Sequence, residues 1–265
     1  MPRLGRFWPF AFLFALPLLP LWRVVFFGEA IGPFDQLRQM APWNAKASEK
    51  PWDVLQLDGV LQFYPWRDMT FQAYQHGHLP LWNPYELGGT PLLANSQSGG
   101  FYPPHVLAGL LHLPTPLAIA LLAWFHLGWA GLGVYLLARR LGATKTGASL
   151  GGASFTLSAF MLSWTALSSV IATVSWIPWL FASILWLFQA PSRRAFAILA
   201  VSTGMMLLAG HLQFCAYGLL GGAFLGLWQA LASRNVKVSL SAFLAVALGC
   251  AIAAPQVIPD RKSVV

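Results

Sequence analysis

Long apolar runs separated by short basic clusters set the limits on what this chain can fold into. The runs cover 7–27, 114–138, 148–163, 168–188, 195–231 and 238–254. A helix needs about 20 apolar residues to cross a bilayer, and several of these runs come near that length. The run 195–231 is too long for one crossing and splits naturally at Gly210-His211. With 57% hydrophobic and 9% charged residues, the chain is far from a soluble composition. In lipid every backbone polar group must be bonded within the protein, so single apolar runs cross as helices. The expectation is an all-α polytopic membrane protein.

Charge sets the sides. The net charge of +8 comes from clusters between the runs, not from a basic stripe that would read nucleic acid. Arg3/Arg6, Arg139/Arg140/Lys145, Arg193/Arg194 and Arg234/Lys237 are expected on the cytoplasmic side. Each interval between them then needs an even number of crossings. That gives about seven transmembrane helices: a first at 1–27, a large structured extracytoplasmic loop at 28–105, and a bundle at 106–265. His211 falls on the same side as the loop. The run 148–163 and the first half of the split run are short for full crossings, which predicts broken or re-entrant segments. Pro17 and Pro20 are tolerated in a membrane helix. A signal peptide cleaved after Gly28-Glu29-Ala30 is the alternative for the first run. Cys215 and Cys250 lie within spans and read as apolar packing residues. Gly147 to Gly152 reads as close helix packing. The ending, Asp260 to Val265, breaks off just after a proline-bounded span and points to a portion of a longer protein.

The loop carries seven of the eight acidic residues: Glu29, Asp35, Glu49, Asp53, Asp58, Asp68 and Glu86. It is dense in Gly, Pro and aromatics, so it is turn-rich and ordered. Asp58 and Gln62, four apart, share a face on a helical turn. With Arg67 following, Asp58 is the first choice for a general base or metal ligand; otherwise it is a solvated acid paired with Arg67. Asp35, in Gly32-Pro33-Phe34-Asp35, competes for the role, while Asp68 and Glu86 are weaker. Tyr64, Trp66, Trp82, Tyr85 and Tyr102 either stack on a sugar ring or form an interfacial aromatic belt. Arg23 either snorkels to the interface or faces an anionic substrate. His211 and Gln213 either bond a phosphate or sugar or make a polar contact between helices. His76 and His78 do not have metal-site spacing. No P-loop, dinucleotide fingerprint, zinc-protease pair or serine elbow is present.

The strings Asp58…Gln62-Phe63-Tyr64-Pro65-Trp66-Arg67, Gly77…Leu79-Pro80-Leu81-Trp82-Asn83-Pro84-Tyr85…Gly88-Gly89…Pro91-Leu92 and Asn95…Gln97-Ser98-Gly99…Phe101-Tyr102-Pro103 resemble the bacterial YfhO-like membrane protein family. Gly210-His211…Gln213 and Pro255-Gln256…Pro259 resemble its later motifs. The likeness covers most of the chain and corresponds to an N-terminal portion of such proteins. It implies a GT-C-like fold in the bacterial inner membrane. It also implies transfer of a sugar from a polyprenyl-phosphate carrier to an envelope polymer, lipid or protein acceptor. Asp58 matches the loop's acid-Gln motif, and Asp35 the general place of an acid soon after the first span. Gln62, Tyr64, Trp66, Arg67, Trp82, Asn83, Asn95, Gln97, His211 and Gln213 would bind substrate. A divalent cation, magnesium or manganese, is a possible aid to the leaving phosphate. The second acid usual in later outer loops is missing from this sequence. The rival class is a non-catalytic transporter or assembly factor for lipid-linked sugars.

Overall fold

The computed structural model describes residues 4–46 and 56–258, and Glu49, Asp53 and Asp260 lie outside them. The described chain is mostly helical. The first apolar run is not one helix: α1 (Leu4–Ala15) gives way to a 3₁₀ turn at Leu16–Leu18 and resumes as α2 (Trp22–Phe27). The cause is local, because Pro17 and Pro20 lack the N–H that a continuous helix needs. Trp124 donates its indole N–H to the Phe14 carbonyl in the turn before the break, at 2.8 Å. Gly28 ends α2 in the left-handed region. Just across it, Arg23 pairs with Glu29 at 2.5 Å.

The loop contains 3₁₀ turns at Phe34–Gln39 and Trp43–Lys46, a π-helical turn at Gly59–Phe63, and α3 (Tyr64–Gln75). A short antiparallel hairpin follows, β1 (Trp82–Asn83) with β2 (Thr90–Pro91), pairing Trp82 with Pro91 and Asn83 with Thr90. This hairpin departs from the all-α expectation. A 3₁₀ turn at Ser96–Ser98 then leads into α4 (Pro103–Leu110).

The remaining chain is α5 (Thr115–Arg140), α6 (Lys145–Thr156), α7 (Ala159–Ser163), α8 (Ser168–Gln189), α9 (Arg193–Leu208), α10 (Leu212–Ser233) and α11 (Val236–Val257). Side-chain oxygens of Thr144, Ser158, Ser192 and Asn235 cap α6, α7, α9 and α11. Each satisfies an N–H that a helix start leaves unbonded. Four helices, α5, α8, α10 and α11, are long and apolar enough to cross a membrane. At 16 residues, α9 is about 24 Å long, short of a hydrocarbon core of about 30 Å. The run 148–163 is divided between α6 and α7.

Helix α8 is the hub, with 78% of its apolar window inside the protein against 17% for α10 and 22% for α11. Leu180, Ile184 and Leu187 of α8 pack with Leu199 and Met206 of α9 and Ala245 of α11. A second cluster joins Phe63 of the loop to Leu127 of α5 and Ile171 of α8. Small residues allow close crossings: a Cβ on Gly152 would lie 2.6 Å from the Gly131 carbonyl oxygen. One on Gly249 would lie 2.6 Å from the Ala200 carbonyl oxygen.

Candidate functional site

The bundle has two chemically distinct ends. At one, Gln189 bonds the Arg140 carbonyl at 3.0 Å and Arg140 lies 4.5 Å over the Trp186 ring. At the other, the Asn95–Tyr102 segment docks on the start of α8, the α9–α10 junction and the last turn of α11. Arg67, fully buried, holds this segment. It donates from Nε to Ser168 Oγ at 3.1 Å and from Nη1 to the Gln97 and Ser98 carbonyls. Gln256 bonds the Ser96 and Leu208 carbonyls at 3.2 and 2.8 Å and accepts the Phe101 N–H at 2.9 Å. Tyr74 and His105 donate to the Gly100 and Gly99 carbonyls at 2.8 and 3.0 Å. Gly210 sits so close to the Ser96 carbonyl that a Cβ would collide with it, and its φ of 93° favours glycine.

Desolvation pushes the Arg67 guanidinium down to about 9. Its Nη2 and the neighbouring Ser98 Oγ have no partner. Burial, aided by the charge of Arg67, holds His105 well below the usual imidazole range. Deeper in, Trp176 donates to the Tyr102 hydroxyl at 2.9 Å, and that hydroxyl lies 2.8 Å from His126 Nε2. Tyr102 is fully buried, so it is not a stacking platform.

Asp58 is exposed and accepts from Gln62 Nε2 at 3.3 Å. The shared face expected from their spacing is therefore formed, on the π-helical turn rather than an α-turn. The pairing of Asp58 with Arg67 is not formed, because the Arg67 N–H groups point to Ser168 and the 97–98 carbonyls. Nearby is a cleft of about 370 Å³ where the loop meets the α7–α8 connection, lined by Gly32, Pro33, Gln56, Leu162, Ser163 and Thr165 among others. Asp35 follows Pro33 by two residues, and Asp58 follows Gln56 by two. Gln56 ties the two walls by donating to the Ser163 carbonyl at 2.8 Å. Phe34 meets Tyr64 edge-on, with ring centroids 5.5 Å apart. Asp68 has a framework role, accepting from Thr115 Oγ1 at 2.6 Å and Gln72 at 2.7 Å.

A second cleft, about 380 Å³, lies between α3 and the hairpin and is lined by Trp66, Asn83, Glu86, Thr90 and Asn95, with Pro91, Leu92 and Ala94. Trp66 is nearly buried and donates to Glu86 Oε1 at 3.0 Å. Three residues expected to bind substrate thus share a wall with Glu86, which the sequence ranked low. Trp82 and Tyr85 are exposed, and Trp82 covers Gly89. Gln97 is bonded by Ser169 at 3.4 Å. His211 sits at the start of α10 with its ring against Phe214, its Nδ1 without a partner, and its basicity lowered by burial. Gln213 is exposed and bonds Tyr217 at 2.8 Å.

Among the described residues no three His, Cys, Asp or Glu side chains form a group able to hold a metal ion. The donor set described does not fit a divalent cation, which takes several oxygen ligands. Sequence reasoning missed Gln256 and Ser168 as partners of the loop. Gln256 stands in the Pro255-Gln256 string, but nothing local marks the partner of either residue, because their contacts bridge 160 and 101 residues. Set against family models, curated proteins and solved structures, the chain finds no match in any of the three.

Proposed function

We propose that this chain is a membrane glycosyltransferase. It takes a sugar from a polyprenyl-phosphate carrier on the side of the 28–105 loop and passes it to a cell-envelope acceptor. The proposal includes seven crossings, with the broken α1–α2 and α6–α7 segments and the short α9 completing the four long helices. One observation carries the reading. Two carboxylates, Asp35 and Asp58, flank in sequence a cleft where the polar loop meets the helix ends, opposite the basic turns. A lipid-borne sugar arrives at such a junction with its headgroup in the cleft and its tail beside the helices.

In this reading Asp58 takes the proton of an acceptor hydroxyl, steadied by the amide of Gln62 on Oδ1. The freed oxygen bonds the anomeric carbon as the bond from that carbon to the phosphate oxygen breaks. The phosphate leaves with the electron pair, and the configuration inverts. Asp35 is the alternative base. General-base catalysis contributes about 10²–10⁴ in rate. Asp58→Asn is therefore expected to lower transfer at least about 100-fold in membranes, measured with a radiolabelled lipid-linked donor. Unchanged transfer by an expressed, inserted Asp58→Asn protein rejects the assignment.

A non-catalytic assembly factor or transporter for lipid-linked sugars is the second reading. It is supported by the commitment of Arg67 and Gln97 to holding the loop. Both readings share the docked loop, and only the first makes a loop carboxylate, Asp58 or in its place Asp35, indispensable.

A further inference from the structure

We propose that the cleft between α3 and the β1–β2 hairpin is a saccharide-binding subsite that seats the acceptor; this rests on the transferase reading and names its acceptor class. The hydrogen-bonding inventory carries the inference. Asn83 is 1% exposed, and its Oδ1 accepts the Tyr85 N–H at 2.9 Å. Asn95 Oδ1 likewise accepts the Gln97 N–H at 3.1 Å. Both amides are thereby fixed in orientation, and each keeps its NH₂ as a donor. Neither amide nitrogen has a bond within the described residues. Asn83 is buried and Asn95 half-buried, and both line a cleft that a ligand can enter.

Glu86 supplies the opposite polarity. The Trp66 indole takes one position on Oε1, and a carboxylate keeps further acceptor sites. Thr90 adds a hydroxyl that can donate or accept. Two fixed donors, one charged acceptor and one hydroxyl on a common wall match neighbouring sugar hydroxyls, each of which is donor and acceptor. The volume falls within the usual range for small-molecule sites, about 300–1,000 Å³. A phosphate or other anion is disfavoured, because the cleft holds a carboxylate and no Arg or Lys. A hard cation is disfavoured, because one carboxylate does not make its coordination shell.

The position suits an acceptor. Trp66 follows Asp58 by eight residues through the π-helical turn and α3, roughly 12 Å along the axis. That separation calls for an oligosaccharide rather than a single ring, with one unit held at the hairpin and another presented to the acid.

The test uses the full chain in phosphatidylethanolamine–phosphatidylglycerol nanodiscs, with maltotriose, cellotriose and chitotriose as probes in titration calorimetry and saturation-transfer NMR. Binding of one or more trisaccharides is expected, weakened about tenfold in Glu86→Gln and in Thr90→Val, with unchanged unfolding temperatures. If no trisaccharide binds, or if both cleft variants bind like the wild type, the subsite is wrong. Transfer that still depends on Asp58 in that case leaves the enzyme reading standing.

Discussion

At the residue scale, the telling side chain is Arg67. A buried guanidinium usually meets a carboxylate, yet its partners here are two carbonyls and a hydroxyl. Hydrogen bonds from a charged donor contribute about 1.5–3 kcal/mol each. Arg67→Ala is expected to cost about 3 kcal/mol or more, and Arg67→Lys to recover only part, since an ammonium lacks the fork. Thermal unfolding in detergent measures both. His105 gives a pH dependence. Its folded pKa lies well below 6.5 while the unfolded chain titrates near 6.5. Above that pH both forms are neutral and stability is flat. As pH falls below about 6.5 the unfolded chain takes up a proton that the folded one does not. Stability is then lost at up to about 1.4 kcal/mol per pH unit. Unfolding temperatures between pH 7.5 and 5.0 check this, with a shallower decline expected for His105→Asn. The sequence exposed Arg67 as notable but not its role. Its contacts lie 30 and 101 residues away, beyond the reach of any local pattern.

At the element scale, helix positions were legible because hydropathy and punctuation agree. The division at Gly210-His211 was visible as a glycine in an overlong run, and α9 and α10 meet there. Helix α3 begins at Tyr64, where Pro65 is well suited to a helix's first turn. The break between α1 and α2 was not anticipated, although both prolines were in view: tolerance of proline in a membrane helix depends on neighbours. Close packing was legible at Gly152 and not at Gly147, which meets little but its own cap. The α9–α11 crossing provides a paired prediction. A Cβ on Gly249 would lie 2.5 Å from Thr203 Cβ, whereas one on Gly226 meets nothing within 4 Å. Gly249→Val is expected to destabilise by about 1–3 kcal/mol through overpacking. Gly226→Ala is expected to stabilise by up to about 1 kcal/mol through helix propensity. Urea titration of the detergent-solubilised protein followed by circular dichroism compares them.

At the scale of the whole molecule, the chain separates a basic end from a polar, docked end. The charge clusters at 139–145, 193–194 and 234–237 foretold this, because each turns out to flank a connection on the far side from the loop. If the basic end is cytoplasmic, alkaline phosphatase fused at Gly77 is active and green fluorescent protein fused at Gly142 is fluorescent. The reverse pattern removes the polyprenyl-phosphate donor from reach. The two clefts at the polar end were not legible as such. Their walls draw on residues from distant turns, and the sequence offered only the polar side chains that line them.

Gln256 has a consequence for biosynthesis. Its amide grips Ser96 across 160 residues, so the latch is translated long after the segment it secures. At about 5–20 residues per second, the ribosome needs roughly ten to thirty seconds to supply it. For that interval the nascent loop stands on the membrane without its final fastening, open to chaperones and proteases, until α11 has inserted.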